Sequence, residues 1–295
     1  MAIDFKGLIV PILTPFQLSG EIDFETLESH LNFLEKQGVQ GILLMTITGE
    51  FSSLFFKEKK ELIDFAVEHS GRMQVLACTG SCSLMETIEI TRYSEKKGVD
   101  AVVISPPFFY THIHMDGILN YFAMIMENIS AIPIILYNIP RYTGIEIDAR
   151  LLKKLTDYPH MYGILDESGN FFNVLGFMKN YQQLKIFSGF DPNIHLAASA
   201  NLKTFVSPMA NIFPEFLLKV IQKIGQKKGI IEEQQVIVNF YKYTRSINNC
   251  GALKYLLTLR GLRESLVRPP LLPLETERKD ELDSFCRTSG LLMVD

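Results

Sequence analysis

Short apolar runs rich in Val, Ile, Leu and Phe recur eight times along the chain, at 8–14, 41–45, 74–79, 101–105, 132–137, 161–165, 185–188 and 203–207. Runs of this length that are nearly continuous, rather than alternating, predict strands buried on both faces. Between them the apolar positions take a helical period. Phe24, Leu27, Leu31 and Leu34 line one face of a first helix that Gly38 ends. Ser83 followed by Glu86 has the spacing of a capping box, and Pro214 after Asn211 suits the first turn of another helix. Eight buried strands alternating with helices predict an α/β fold, a (β/α)8 TIM barrel inside a ring of helices. Residues 229–262 and 275–290 read as additional C-terminal helices, separated at Arg268 to Pro273 by prolines that forbid helix. The expected organisation is a barrel over 1–228 and a helical extension over 229–295 packed on it as one structural domain.

Composition narrows the function classes. The 295 residues are 47% hydrophobic and 21% charged, enough for a large core, and the formal charge of −4 offers no basic patch for nucleic acid. No run has the uninterrupted apolar length of a membrane span, and the first residues lack the cationic and apolar segments of a signal peptide. Cys78, Cys82, Cys250 and Cys286 form no CxxC pair and have no histidine at zinc-ligand spacing, which reads as reduced thiols in a cytoplasmic protein. His112 and His114 lack a matching carboxylate pair, so no metal is expected and they read as solvated loop residues.

In folds of this kind chemistry gathers at the C-terminal ends of the strands. Two ends stand out. The run from Ile132 stops at Tyr137 and Asn138, and the run from Met161 stops at Leu165, ahead of a polar turn from Asp166 to Asn170 that opens a helix. Taken alone, Tyr137 reads as a packed aromatic with a satisfied hydroxyl, and Leu165 as ordinary core.

The ordered set Val10 to Pro15, Thr48 to Glu50, Tyr137 to Pro140 with Thr143 and Gly144, Gly163 to Asp166 with Ser168 and Gly169, Ser188 with Gly189, and Arg268 to Pro270 spans nearly the whole chain. In this order it resembles the dihydrodipicolinate synthase and N-acetylneuraminate lyase family of class I aldolases, which also holds the 2-keto-3-deoxygluconate aldolases. The resemblance implies pyruvate-dependent aldol cleavage or condensation without a cofactor, in a homodimer or homotetramer. It places the family's Schiff-base lysine at Leu165, which has no amine to condense with a ketone. No other lysine suits the role, since Lys154, Lys185 and Lys203 fall on a helix or at strand beginnings.

The remaining site follows from the same resemblance. Thr46 to Glu50 matches the loop that holds the pyruvate carboxylate. There Gly49 would admit a close backbone approach, and successive amides with the Thr48 hydroxyl would make an anion nest; a polar loop capping the second helix is the alternative. Ile47 stands where many relatives carry a proton-relaying hydroxyl. Tyr137 takes the general acid/base position. Tyr142 replaces a substrate-steering arginine, with Arg141 one step earlier, which argues against aspartate semialdehyde as substrate. Tyr110 is the phenol that would reach a neighbouring subunit's site, in shifted register, and Ser188 and Ser207 complete the substrate-binding set. Departures at Thr46, Ile47, Tyr142 and Phe190 cluster around the site. They favour a naturally altered, catalytically impaired homologue over an engineered Lys-to-Leu exchange. A non-enzymatic 2-oxo-acid or sugar-acid binding or regulatory protein stays open, as does a lysine-free enzyme using Tyr137 with a metal or a water.

Overall fold

The computed structural model describes residues 4–110, 112–247 and 249–292. The stretch 1–3 read above for a leader, position 248 within the expected 229–262 helix, and the last three residues of the expected extension lie outside them. Eight parallel strands close into one barrel in sequence order: β1 (Gly7–Pro11), β2 (Gly41–Leu44), β3 (Gln74–Cys78), β4 (Ala101–Ile104), β5 (Ile134–Asn138), β6 (Met161–Asp166), β7 (Lys185–Ser188) and β8 (Thr204–Val206). The expected fold is present. The strand boundaries shift for local reasons. β5 starts at Ile134 rather than 132 because Pro133 has no N–H for the ladder, although its carbonyl still accepts from Val102. β2 stops at Leu44 because Met45 takes a left-handed φ of 58° that swings the chain out over the barrel mouth.

Two apolar layers follow from the alternation of side chains along each strand. Inward residues such as Ile9, Leu43, Leu76, Val103, Ile135, Leu165 and Phe187 fill the barrel, while their neighbours meet the helices outside. Close approach of β6 and β7 requires Gly163, where a Cβ would lie 2.2 Å from the Lys185 carbonyl oxygen. The helices follow their sequence signals. Phe24–Lys36 buries Leu27, Leu31 and Leu34, and its N-cap Asp23 accepts from the Thr26 amide. At Leu84–Lys97 only half of the expected capping box forms. Ser83 accepts from the Glu86 amide, but the Glu86 carboxylate turns to Ser81 and Lys59. Pro214 opens Pro214–Gly225 as expected.

The C-terminal stretch holds the helices Ile231–Ile247, Asn249–Thr258 and Thr276–Thr288, so the expected helix over 229–262 is two helices that end in a turn at Gly261, φ 79°. A buried ion pair ties the second of them to the barrel. Lys254 Nζ donates to Glu50 Oε1 at 2.5 Å and to the Leu266 carbonyl at 2.6 Å, and the Arg268 amide donates to Glu50 Oε2 at 2.9 Å. The Arg268 guanidinium sits 4.1 Å above the Phe16 ring and pairs with Glu58. Every charge in this cluster has a partner, which is the condition under which buried ions persist.

Candidate active site

β5 and β6 pair in register, Tyr137 with Leu165 and Asn138 with Asp166, so the two strand ends singled out by the sequence lie side by side at the mouth. Asn138 and Asp166 are committed to holding the ends together. Asn138 Nδ2 donates to Asp166 Oδ2 at 2.6 Å, its Oδ1 accepts from the Ile147 amide, and the Ser168 hydroxyl donates to Asp166 Oδ1 at 2.8 Å. Leu165 points into the barrel and is 1% exposed. It leans on Gly189, where a Cβ would come within 2.9 Å of Leu165 Cδ1 and 3.5 Å of Glu167 Cβ.

The Tyr137 hydroxyl donates to Glu167 Oε2 at 2.5 Å. On its other side Glu167 Oε1 lies 3.8 Å from Arg245, whose guanidinium stacks on Tyr241 and donates to the Tyr142 hydroxyl at 3.3 Å. Burial raises the Glu167 carboxyl to about 7, helped by the nearby Asp191 and Asp166 charges and opposed by the Tyr137 hydrogen bond and Arg141. The side chain keeps 20% of its surface, so the shift reflects a crowded apolar setting rather than complete enclosure. Burial, then the Glu167 charge, holds the Tyr137 phenol well above its usual range. A carboxyl that titrates near neutrality against a phenol can give and take a proton at working pH.

Asp191 lies a short way off, 5% exposed, and burial raises it to about 7 as well. Its Oδ1 has no hydrogen-bond partner among the described residues. Thr46 Oγ1 and Ser207 Oγ likewise make no well-formed hydrogen bond, although the Ser207 hydroxyl and the Met209 amide lie close enough to Asp191 to favour its ionised form against burial. Asp191 and Thr46 line an inner chamber of about 30 Å³, with Tyr137, Glu167, Gly189 and Tyr241. It adjoins an outer cavity of about 490 Å³ that reaches Phe51, Cys78, Phe108, Arg141 and Leu271. Thr46, Ile47, Tyr137, Tyr142 and Arg245 line both.

The structure brings together part of the set expected from sequence. Thr48 and Ile47 line the inner chamber, and Tyr142 lines both spaces. Gly49 lies behind the loop, its amide bonded to the Thr46 carbonyl and its carbonyl accepting from Thr14. The free donors of the loop are the Ile47 and Thr48 amides, which take no backbone acceptor among the described residues, unlike those of Gly49, Glu50 and Phe51. Ser188 is buried at the end of β7 beneath Gly189 and lines neither space, and Ser207 is wholly buried. Tyr110 is 62% exposed, stacked edge-on with Phe109 outside both spaces. Glu167, Asp191, Arg245 and Tyr241 were not anticipated. Lys254 is a buried lysine that the strand pattern did not flag, but it lines neither space and serves Glu50. Among the described residues no group of three or more His, Cys, Asp or Glu could hold a metal ion. No helix of the described chain is long and apolar enough to cross a membrane.

A closed eight-stranded barrel whose polar groups converge on its C-terminal mouth defines a (β/α)8 barrel with its candidate site where that fold places chemistry. The dihydrodipicolinate synthetase family pattern matches residues 4–288, and the chain belongs to that family. It is 33% identical over 277 residues to an uncharacterised DapA-like lyase of Pyrococcus horikoshii, covering 90% of this chain and 94% of the relative. It is 31% identical over 295 residues to the 4-hydroxy-tetrahydrodipicolinate synthase of Clostridium perfringens, covering 98% and 99%. A dihydrodipicolinate synthase of Bacillus anthracis superposes with a TM-score of 0.91 at 27% identity, over 97% of this chain and 99% of that one.

Proposed function

We propose that this protein is a catalytically impaired lyase homologue that binds a small 2-oxo acid, pyruvate-like, or a sugar acid in its barrel mouth without forming a Schiff base. It would do so in the cytoplasm as a homodimer or homotetramer. The observation that carries the reading is the absence of lysine from the residues lining the inner chamber and the outer cavity, with Leu165 packed under Gly189 where an amine would be needed. Imine chemistry requires an uncharged amine within reach of the ketone, and no side chain in that lining supplies one. The ligand's carboxylate would meet the Ile47 and Thr48 amides and the Thr48 hydroxyl, and its carbonyl oxygen would face the Tyr137 phenol. Two or three such donors give on the order of 4 to 5 kcal/mol net, a millimolar to sub-millimolar affinity.

Two measurements test the reading. Treatment with pyruvate and borohydride should leave the protein mass unchanged, and an adduct mapped to any lysine would overturn the impairment. A panel of 2-oxo acids at about ten times the dissociation constant should stabilise the fold by about 1.4 kcal/mol, visible as a rise in Tm. Thr48→Val, which keeps shape and deletes the hydroxyl, should remove most of that rise. A flat response across the panel would end the binding reading.

A further inference from the structure

We propose that the ligand of this mouth is a 2-oxo acid with an apolar tail, aryl or branched alkyl, which lies in the outer cavity while the oxo-acid head meets the Ile47 and Thr48 donors. The inference rests on the 2-oxo-acid reading and chooses within it, against a polyhydroxylated sugar acid. Size comes first. The inner chamber, about 30 Å³, is small, so whatever extends beyond the head must enter the outer cavity, with which it shares Thr46, Ile47, Tyr137, Tyr142 and Arg245. That cavity of about 490 Å³ has the size of a small-molecule pocket, far more than the methyl group of pyruvate needs.

The walls give the tail its chemistry. Met45, Phe51, Val103, Phe108, Ile139 and Leu271 line the outer cavity, and the rings of Phe51 and Phe108 meet edge to face at 5.6 Å, an aromatic corner that a third ring could join. Several polar groups of the same lining are already engaged. Glu50 accepts from Lys254 through one oxygen and from the Arg268 amide through the other, and the Thr143 hydroxyl serves the backbone at Ile139 and Ile145. The Tyr142 hydroxyl accepts from Arg245. A sugar chain would therefore give up water at several hydroxyls for few free partners, whereas an apolar tail loses nothing by leaving water. Arg141 is the exception. It lines the cavity, is exposed, and forms no ion pair among the described residues, so a second carboxylate is the rival tail.

Calorimetry on the intact protein at constant pH and ionic strength decides, with pyruvate, 4-phenyl-2-oxobutanoate, 2-oxoglutarate and 2-keto-3-deoxygluconate as probes. The phenyl acid should bind roughly ten- to a hundredfold more tightly than pyruvate, the gain of burying one aromatic side chain, and the sugar acid no more tightly than pyruvate. Phe108→Ala should remove most of the phenyl advantage and leave pyruvate affinity unchanged. Leu271→Asn, on a different segment and half-buried, should act in the same direction and stands in should the first variant not fold. Pyruvate binding with no gain from the phenyl tail would overturn this inference and leave the 2-oxo-acid reading intact. Tighter binding of 2-oxoglutarate would give the outer cavity to an acidic tail at Arg141, and tighter binding of the sugar acid would give it to a polyol; either overturns the apolar assignment. A phenyl gain untouched by both variants would place the tail elsewhere. If 4-phenylbutan-2-one, which lacks the carboxylate, binds as well as the phenyl acid, the head is not read and the 2-oxo-acid reading itself fails, this inference with it.

Discussion

Glu50 and Asp191 are both almost wholly buried at the mouth of the barrel, 3% and 5% exposed, yet their surroundings are opposite. Glu50 accepts from Lys254 through one oxygen and from the Arg268 amide through the other. Asp191 has a buried oxygen with no partner among the described residues and a neighbouring hydroxyl in the same condition. A buried carboxylate whose lone pairs are met by fixed groups locks one arrangement of the chain, here the fastening of the helix Asn249–Thr258 and the 264–268 segment to the barrel. A buried carboxyl left short of partners opposes folding, and its presence points to a group that comes from outside. The two acids thus separate the scaffold from the site more sharply than burial alone would.

The largest expected effect breaks the paired side of this comparison. Lys254→Met keeps the volume and removes the charge, leaving Glu50 buried with only the Arg268 amide bonded to it. It should cost about 3 to 5 kcal/mol in denaturant unfolding. Adding Glu50→Gln should recover a large part of that loss. If the double variant is no more stable than the single one, the pair is not the fastening that its geometry implies.

The unpaired side should respond in the other direction. With a folded-state value of about 7 against an ordinary 3.8, Asp191 binds more protons in the folded state than in the unfolded one between about pH 4 and 7. Its stabilising contribution is fully present below that window and is lost as pH rises through it, after which the curve is flat. Glu167, raised from 4.5 to about 7, acts with the same sign. Asp191→Asn removes one of these two slopes. It should be more stable than the parent at pH 8 by on the order of 1 to 4 kcal/mol and no more stable at pH 4, as read from urea midpoints at the two pH values. Equal pH profiles for the two proteins would mean that Asp191 is already matched by another group.

Much of the architecture was legible in the sequence because barrel strands covered on both faces leave near-continuous apolar runs, and eight of them appear in order. Their edges were less so. Pro133 looks apolar and cannot enter the ladder, and Met45 looks like strand but turns left-handed. At the site the legible part was what sits on strand ends, Tyr137 and Leu165, whose register follows from the barrel alone. Glu167 was hidden because a charged residue in a polar turn ordinarily lies in water, and its burial arises only when Tyr137, 30 residues earlier, and Arg245 close over it. Arg245 reaches Tyr142 across 103 positions and Lys254 reaches Glu50 across 204, separations that no local pattern records. The signal that could have found Asp191 is an acid followed by a proline three residues past the end of a buried strand, at the start of a tight turn over the barrel mouth.

The smallest change in stability, and the most informative in chemistry, comes from Leu165→Lys, which places an amine beside Glu167 and Asp191. Leucine and lysine share a stem of similar bulk, and the side chain already leans toward Gly189 and the inner chamber. The new ammonium would extend toward Glu167 and Asp191, so burial and the acids act against each other. Burial lowers its pKa and the carboxyls raise it. The net cost should stay below about 1.5 kcal/mol, since a cation arrives where one was lacking. At pH 7 the introduced amine should be largely charged and slow to condense. Its reaction with pyruvate should quicken as pH rises, and adding Asp191→Asn should quicken it further at fixed pH by removing the charge that holds the proton on. Borohydride trapping followed by intact mass measures both. A trapped adduct on the introduced amine whose rate ignores both pH and the exchange at Asp191 would show that the carboxyl pair does not govern an amine in the chamber, and the contrast between the two buried acids would lose its chemical meaning.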